Sequence, residues 1–218
     1  MPLSNGKDAL KSELEALYSD VKAFKSVAEF ARRKASAVND FVLTGEPKTL
    51  ITFTNPATGT GIGGLDKPVP GMGLAAAQPI MMAKFIEIWT HGNAVKSPAE
   101  FAQKMSDAIF NYYSQAMVLT IDMGPLTPPP GPPPPLTGSS TGIGGVLAPA
   151  PGGGYAAAKP TLESEFKRIW SQVQSPGSVP KFAQELALAI HQFAIQGKVT
   201  TNGVIVTGVG QSVSSTLS

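Results

Sequence analysis

The chain has 218 residues, 42% of them hydrophobic, and its 17 basic and 15 acidic side chains leave a formal charge of +2. A balance this close to neutral excludes a strong field for phosphate backbones or anionic lipid, and the complete lack of cysteine excludes disulfides, thiolate nucleophiles and thiolate-bound metals. Glycine and proline supply 23 and 20 residues, enough to hold part of the chain in extended conformations.

The first element in the chain is helical. Leu10, Leu14, Leu17 and Val21 recur at the spacing of one helix face, with Tyr18 beside the stripe. "SVAE" at 26–29 fits a capping box, in which the serine accepts an amide hydrogen bond from the third helical residue and the glutamate reaches back. A second periodic run follows in Val27, Phe30, Val38 and Phe41, and Gly45 is a helix stop. Residues 1–45 are therefore predicted as a helical hairpin. The "ARRK" cluster at 31–34 reads as a small solvated basic face.

Residues 46–78 form the first connector. "TLITF" at 49–53 has the β-branched content of a short strand. "GTGIGG" at 59–64 has the glycine spacing of a dinucleotide fingerprint, but that reading needs a helix to start at the glycines so that free amides face a pyrophosphate. Instead "LDKPVPGMG" follows, and its prolines and glycines would break a helix within two turns.

A second hairpin is predicted over 79–117. Met81, Phe85 and Ile88 make one stripe with Trp89 beside it, and "SPAE" at 97–100 opens the run Phe101, Met105, Ile109 and Tyr112. Pro98 stands at the first helical position, where its missing N–H costs nothing. The connector at 118–159 contains "TPPPGPPPP", whose prolines favour a stiff polyproline II spacer. The third hairpin, 160–197, repeats the pattern with Leu162, Phe166, Ile169 and Val173 beside Trp170. Its second run is Val179, Phe182, Leu186, Ile190 and Phe193, ending at Gly197. An extended tail, 198–218, includes "GVIVTG" at 203–208, again strand-like. Exposed strand edges of this kind would invite pairing with a neighbouring chain.

Self-comparison explains the glycines. Residues 60–120 align without a gap on 141–201, from "TGIGG" through the "AAA" blocks to both helical runs, and the segment from Ala9 aligns with that from Thr161. Gly59 falls opposite Ser140, so the second copy loses the first glycine of the fingerprint while keeping the rest. The chain is three versions of one unit, and one hairpin is too small to bury a sufficient core alone. The expected fold is mainly α: three tandem hairpins, six helices in an approximate three-fold cluster, joined by long Gly/Pro-rich connectors with short β segments. Separated hairpins completed in an oligomer are the alternative.

Chemistry-bearing residues are few. His91 and His191 occupy non-equivalent repeat positions and lack a metal-ligand spacing such as H-E-x-x-H. Glu163 and Glu165 are two apart and point to different sides of a helix. No Walker loop or nucleophile elbow is present. Neither an enzyme activity nor a cofactor is expected. Tyr18, Trp89 and Trp170 recur in every copy and read as packing residues.

Helical units ending in "AIHQFAIQGKVTTNGVIVTGVG" or "AIFNYYSQAMVLT", a proline-rich connector and "TGIGG" together resemble small structural proteins of tailed bacteriophages. The resemblance covers 9–210 and rests on composition and repeat pattern. It implies a virion component bound to a capsid, neck or tail surface, and it supplies no active residues. The candidate contact positions lie in the connectors and tail: Ile51, Phe53, Ile62, Leu65, Pro128, Pro135, Ile143, Val146, Val204 and Val206. Expected partners are other virion proteins, with self-association also open, and neither specific nucleic acid nor membrane. A cytosolic adaptor recruiting a proline-binding domain through "PPPGPPPP" is the alternative. The start of the chain lacks the apolar core of a signal peptide, and no run approaches the roughly 20 apolar residues of a spanning helix, so synthesis in the cytoplasm is expected.

Overall fold

The computed structural model describes residues 3–20, 24–44, 47–53, 58–65, 73–90, 97–115, 117–126, 136–146, 155–172, 178–196, 198–205 and 208–217, and places side chains over 6–20, 24–44, 73–90, 97–115, 155–172 and 178–196. The protein is mainly helical, as its periodicity predicts. In chain order the elements are α1 (Leu3–Ser19), α2 (Val27–Leu43), β1 (Pro47–Phe53), β2 (Thr58–Leu65), α3 (Leu74–Thr90), α4 (Pro98–Ser114), β3 (Met117–Leu126), β4 (Leu136–Val146), α5 (Tyr155–Gln172), α6 (Val179–Ala194), β5 (Lys198–Ile205) and β6 (Gly208–Leu217).

Each helix packs on its neighbours in sequence, and α1 packs on α6. The six helices therefore close into one ring. Its core is lined by equivalent positions of the three units: Leu14, Phe85 and Phe166 from the first helices, Val38, Ile109 and Ile190 from the second, all buried. Val27, read from sequence as part of the apolar stripe, is 40% exposed, because it opens α2 directly after the N-cap. Val21 and Val173 lie outside the described residues.

Local signals set the helix starts. The hydroxyls of Ser26, Ser97 and Ser178 accept hydrogen bonds from the amides of Glu29 (3.1 Å), Glu100 (3.2 Å) and Lys181 (3.4 Å). The reciprocal half differs from the expected box. Glu29 accepts from the Lys25 amide at 3.1 Å, one residue before the cap. Helices α3 and α5 begin earlier than the proline positions suggested: Pro79 and Pro160 lie inside them, and the "AAA" blocks are helical. Gly73, at φ 66, makes the earlier start of α3 possible, since a residue with a Cβ is disfavoured in this left-handed conformation. Its carbonyl accepts from the Ala77 amide at 3.1 Å.

The segments after each helical pair form antiparallel β-hairpins: β1 with β2, β3 with β4, β5 with β6. Further pairings of β2 with β3, β4 with β5 and β6 with β1 close a six-stranded barrel. Strands β1 and β5, expected as exposed edges, thus have neighbours on both sides, which satisfies their backbone groups within the chain. The "GTGIGG" glycines lie in β2, and β2 ends at Leu65, well before α3 opens at Leu74; no helix begins at the glycines.

A cap test checks the start of a second helix directly. Replacing Ser97 with alanine removes the acceptor for the Glu100 amide and is expected to cost about 1 kcal/mol, read as a lower urea midpoint with an unchanged slope.

Candidate functional site

The most concentrated set of chemically distinctive side chains lies at the end of the helical ring where α1 leads to α2, α3 to α4 and α5 to α6. The last turns of α1, α3 and α5 contribute Tyr18, Trp89 and Trp170, and the first turns of α2, α4 and α6 contribute Phe30, Phe101 and Phe182. They alternate in a closed circle. Centroid separations run Tyr18–Phe30 5.5 Å, Phe30–Trp89 5.1 Å, Trp89–Phe101 5.2 Å, Phe101–Trp170 4.3 Å, Trp170–Phe182 5.0 Å and Phe182–Tyr18 4.9 Å. All six contacts are edge-to-face, the arrangement in which the positive rim of one ring meets the negative face of the next. Each phenylalanine therefore touches one aromatic of its own hairpin and one of the next.

Lys34 sits one helical turn below Phe30 and is 1% exposed. Its ammonium nitrogen lies 5.5 Å from the Tyr18 ring centroid, 5.3 Å from Phe85, 5.5 Å from Trp89 and 5.9 Å from Trp170, and it donates to the Tyr18 hydroxyl at 2.8 Å. Loss of hydration pulls its pKa from the ordinary 10.5 down to about 7. Burial also raises the Tyr18 phenol well above its usual range, so Tyr18 stays neutral. The sequence reading placed Lys34 on a solvated basic face. The structure corrects this: Arg32 and Arg33 are exposed, whereas position 34 lies on the core face, equivalent to the buried Met105 and Leu186. The repeat alignment contained that signal.

Among the described residues, the indole N–H groups of Trp89 and Trp170 are buried with no hydrogen-bond partner, as is the Tyr113 hydroxyl. Tyr113 belongs to a second aromatic group at the opposite end of the helices, 5.2 Å from Tyr155 and 5.5 Å from Phe193. Burial, with Tyr155 and Tyr112 adding to it, raises its pKa. Tyr155 donates to the Ala194 carbonyl at 3.2 Å, and Tyr112 donates to Asn39 at 2.8 Å, joining α4 to α2.

The histidines and acids read from sequence do not converge on this site. His191 packs 6.2 Å from Phe41, and its pKa is lowered, first by burial and then by Lys7. His91 lies outside the described residues. Glu165 is held by Arg168 at 2.9 Å, which also bridges to Glu185 at 3.0 Å. Among the described residues there is no group of three or more potential metal ligands, and no helix is long and apolar enough to cross a membrane.

The connector positions fall in four strands. Ile51 and Phe53 are in β1, Ile62 and Leu65 in β2, Ile143 and Val146 in β4, and Val204 in β5. Register places Ile62 opposite Ile121 and Val204 opposite Thr141. Pro128, Pro135 and Val206 lie outside the described residues.

Comparison with known proteins returns no match to a family model, a curated protein or a solved structure.

The ring makes an unequal pair of substitutions informative. Phe101→Ala removes a ring wedged between Trp89 and Trp170 and is expected to cost about 3 kcal/mol, the low end for a phenylalanine truncation because Phe101 is only partly buried. Phe24→Ala, whose ring meets Phe30 outside the circle at 5.4 Å, should cost about 1 kcal/mol. Urea midpoints give both values, and only Phe101→Ala should shift tryptophan emission.

Proposed function

We propose that the chain is a non-enzymatic structural or assembly protein, of the kind its repeat pattern resembles among virion components of tailed bacteriophages, and that it binds a capsid, neck or tail surface. The closed aromatic circle is the observation that carries this reading. Six rings of the sort a ligand platform uses are committed to one another, and the amine beside them is enclosed by four rings. The side chains with chemical potential serve the cohesion of the three units.

The helical exteriors favour contact through the connectors. The buried positions repeat across the units, but the outward ones diverge: Arg33, Lys104 and Glu185 are equivalent, as are Ala9, Ile80 and Thr161. Three such faces cannot make the same contact. What recurs outside the helical core is "TGIGG" in β2 and β4, with the apolar positions Ile62 and Ile143. A surface that meets both segments at once gains from their tethering through effective concentration. Partners in this reading are proteins of the particle, and no cofactor takes part.

The test is copurification with assembled particles before and after Pro128 to Pro135 are replaced by a Gly/Ser tract of equal length. A purely connecting role predicts incorporation within about twofold of the unmodified chain, because a flexible tract of that length still joins β3 to β4, whose ends already pair at Leu126 and Leu136. An adaptor that docks a proline-binding domain predicts loss of partner capture with no particle association in either form, and that outcome would replace this reading.

A further inference from the structure

Lys34 breaks the internal symmetry of the buried face. Its counterparts Met105 and Leu186 are apolar and equally buried, so packing alone does not call for an amine here. Among the described residues, no carboxylate lies within ion-pair distance of Lys34, and its one hydrogen-bond partner is the Tyr18 hydroxyl. The groups facing it from the packed elements are Tyr18 from α1, Phe85 and Trp89 from α3, and Trp170 from α5. Lys84 and Glu87 of α3 pair with each other at 2.9 Å while half exposed, and Arg168 of α5 is engaged by Glu165 and Glu185. Glu13 of α1 is exposed, and β2, which also touches α2, contains no ionisable residue.

Two states of the amine fit this enclosure differently. As an ammonium it receives four electron-rich ring faces and one oxygen acceptor, which offset only part of the hydration it loses. As a neutral amine it offers a lone pair. The Tyr18 hydroxyl then donates across the same contact, so the hydrogen bond survives with its direction reversed.

We propose that Lys34 couples closure of the three hairpins to release of a proton, so that the ring of helices tightens as pH rises above neutrality and is weakest at and below it. The unfolded chain holds this proton up to the ordinary lysine range near pH ~10.4, whereas the folded chain gives it up from about 7. Between those limits the unfolded state binds more protons, so stability rises with pH; below the lower limit both states are protonated and the contribution is flat. A partner that recognises only the closed ring inherits the same dependence.

The test compares the intact protein with Lys34→Met, which installs the residue found at the equivalent position 105, by urea unfolding at a series of pH values. All other titrations are common to both proteins, so the difference curve isolates this site. The wild-type folding constant, relative to the variant, is expected to rise by up to about tenfold per pH unit between neutrality and pH ~10, and the variant should be the more stable of the two at pH 7. Parallel profiles would overturn the proposal. If Lys34→Met fails to fold, lysine-selective carbon labelling of the wild-type chain decides: one lysine titrating near neutrality supports the coupling, and all lysines titrating near their ordinary range overturns it.

Discussion

The fold depends on phenylalanines that each belong to two hairpins at once. Phe30 meets Tyr18 of its own unit and Trp89 of the next; Phe101 does the same with Trp89 and Trp170; Phe182 closes the circle with Trp170 and Tyr18. Edge-to-face pairs contribute on the order of 0.5–1.5 kcal/mol each beyond the area they bury. Three of the six link different units, so removing any hairpin deprives two others of partners. Hydrogen bonds and ion pairs repeat the principle elsewhere: Tyr112 to Asn39 joins α4 to α2, and Lys159 to Asp107 joins α5 to α4.

A chain built from three related units can keep its internal symmetry while its surface drifts. The interior is constrained because each buried side chain must fit two neighbours packed at near-crystalline density. The exterior meets water, where equivalent positions carry residues as different as Arg33, Lys104 and Glu185. Alongside the small Ser106, Lys34 is an exception that the interior tolerates, an amine among apolar equivalents. Its cost is limited because four ring faces and a phenol receive it, and because it can shed its charge.

Much of the helical framework was legible from periodicity and capping. Leu10, Leu14 and Leu17, or Phe166 and Ile169, announce their buried faces by spacing alone, and Ser26, Ser97 and Ser178 mark three helix starts. Two kinds of feature were not. Pro79 and Pro160 read as boundaries, yet the helices begin a turn or more before them: in α3 a glycine in left-handed conformation and a buried Leu74 favour the earlier start, and in α5 the buried Tyr155 takes the place of Leu74. The pairing of β1 with β6 joins residues far apart in the sequence, and no local pattern encodes such a contact. As for the site, its six rings were visible singly as recurring aromatics, but their circle depends on how the three hairpins meet. Lys34 looked solvated because its neighbours in sequence are arginines, and only its alignment with Met105 and Leu186 contradicts that impression.

Native-state hydrogen exchange tests this interdependence most directly. If the aromatic circle binds three mutually dependent hairpins, the slowest amides of all six helices should open through one common event, with the same free energy and the same sensitivity to denaturant. One helical pair that stays protected after the other two have exchanged would show that it stands by itself, and the account would be wrong.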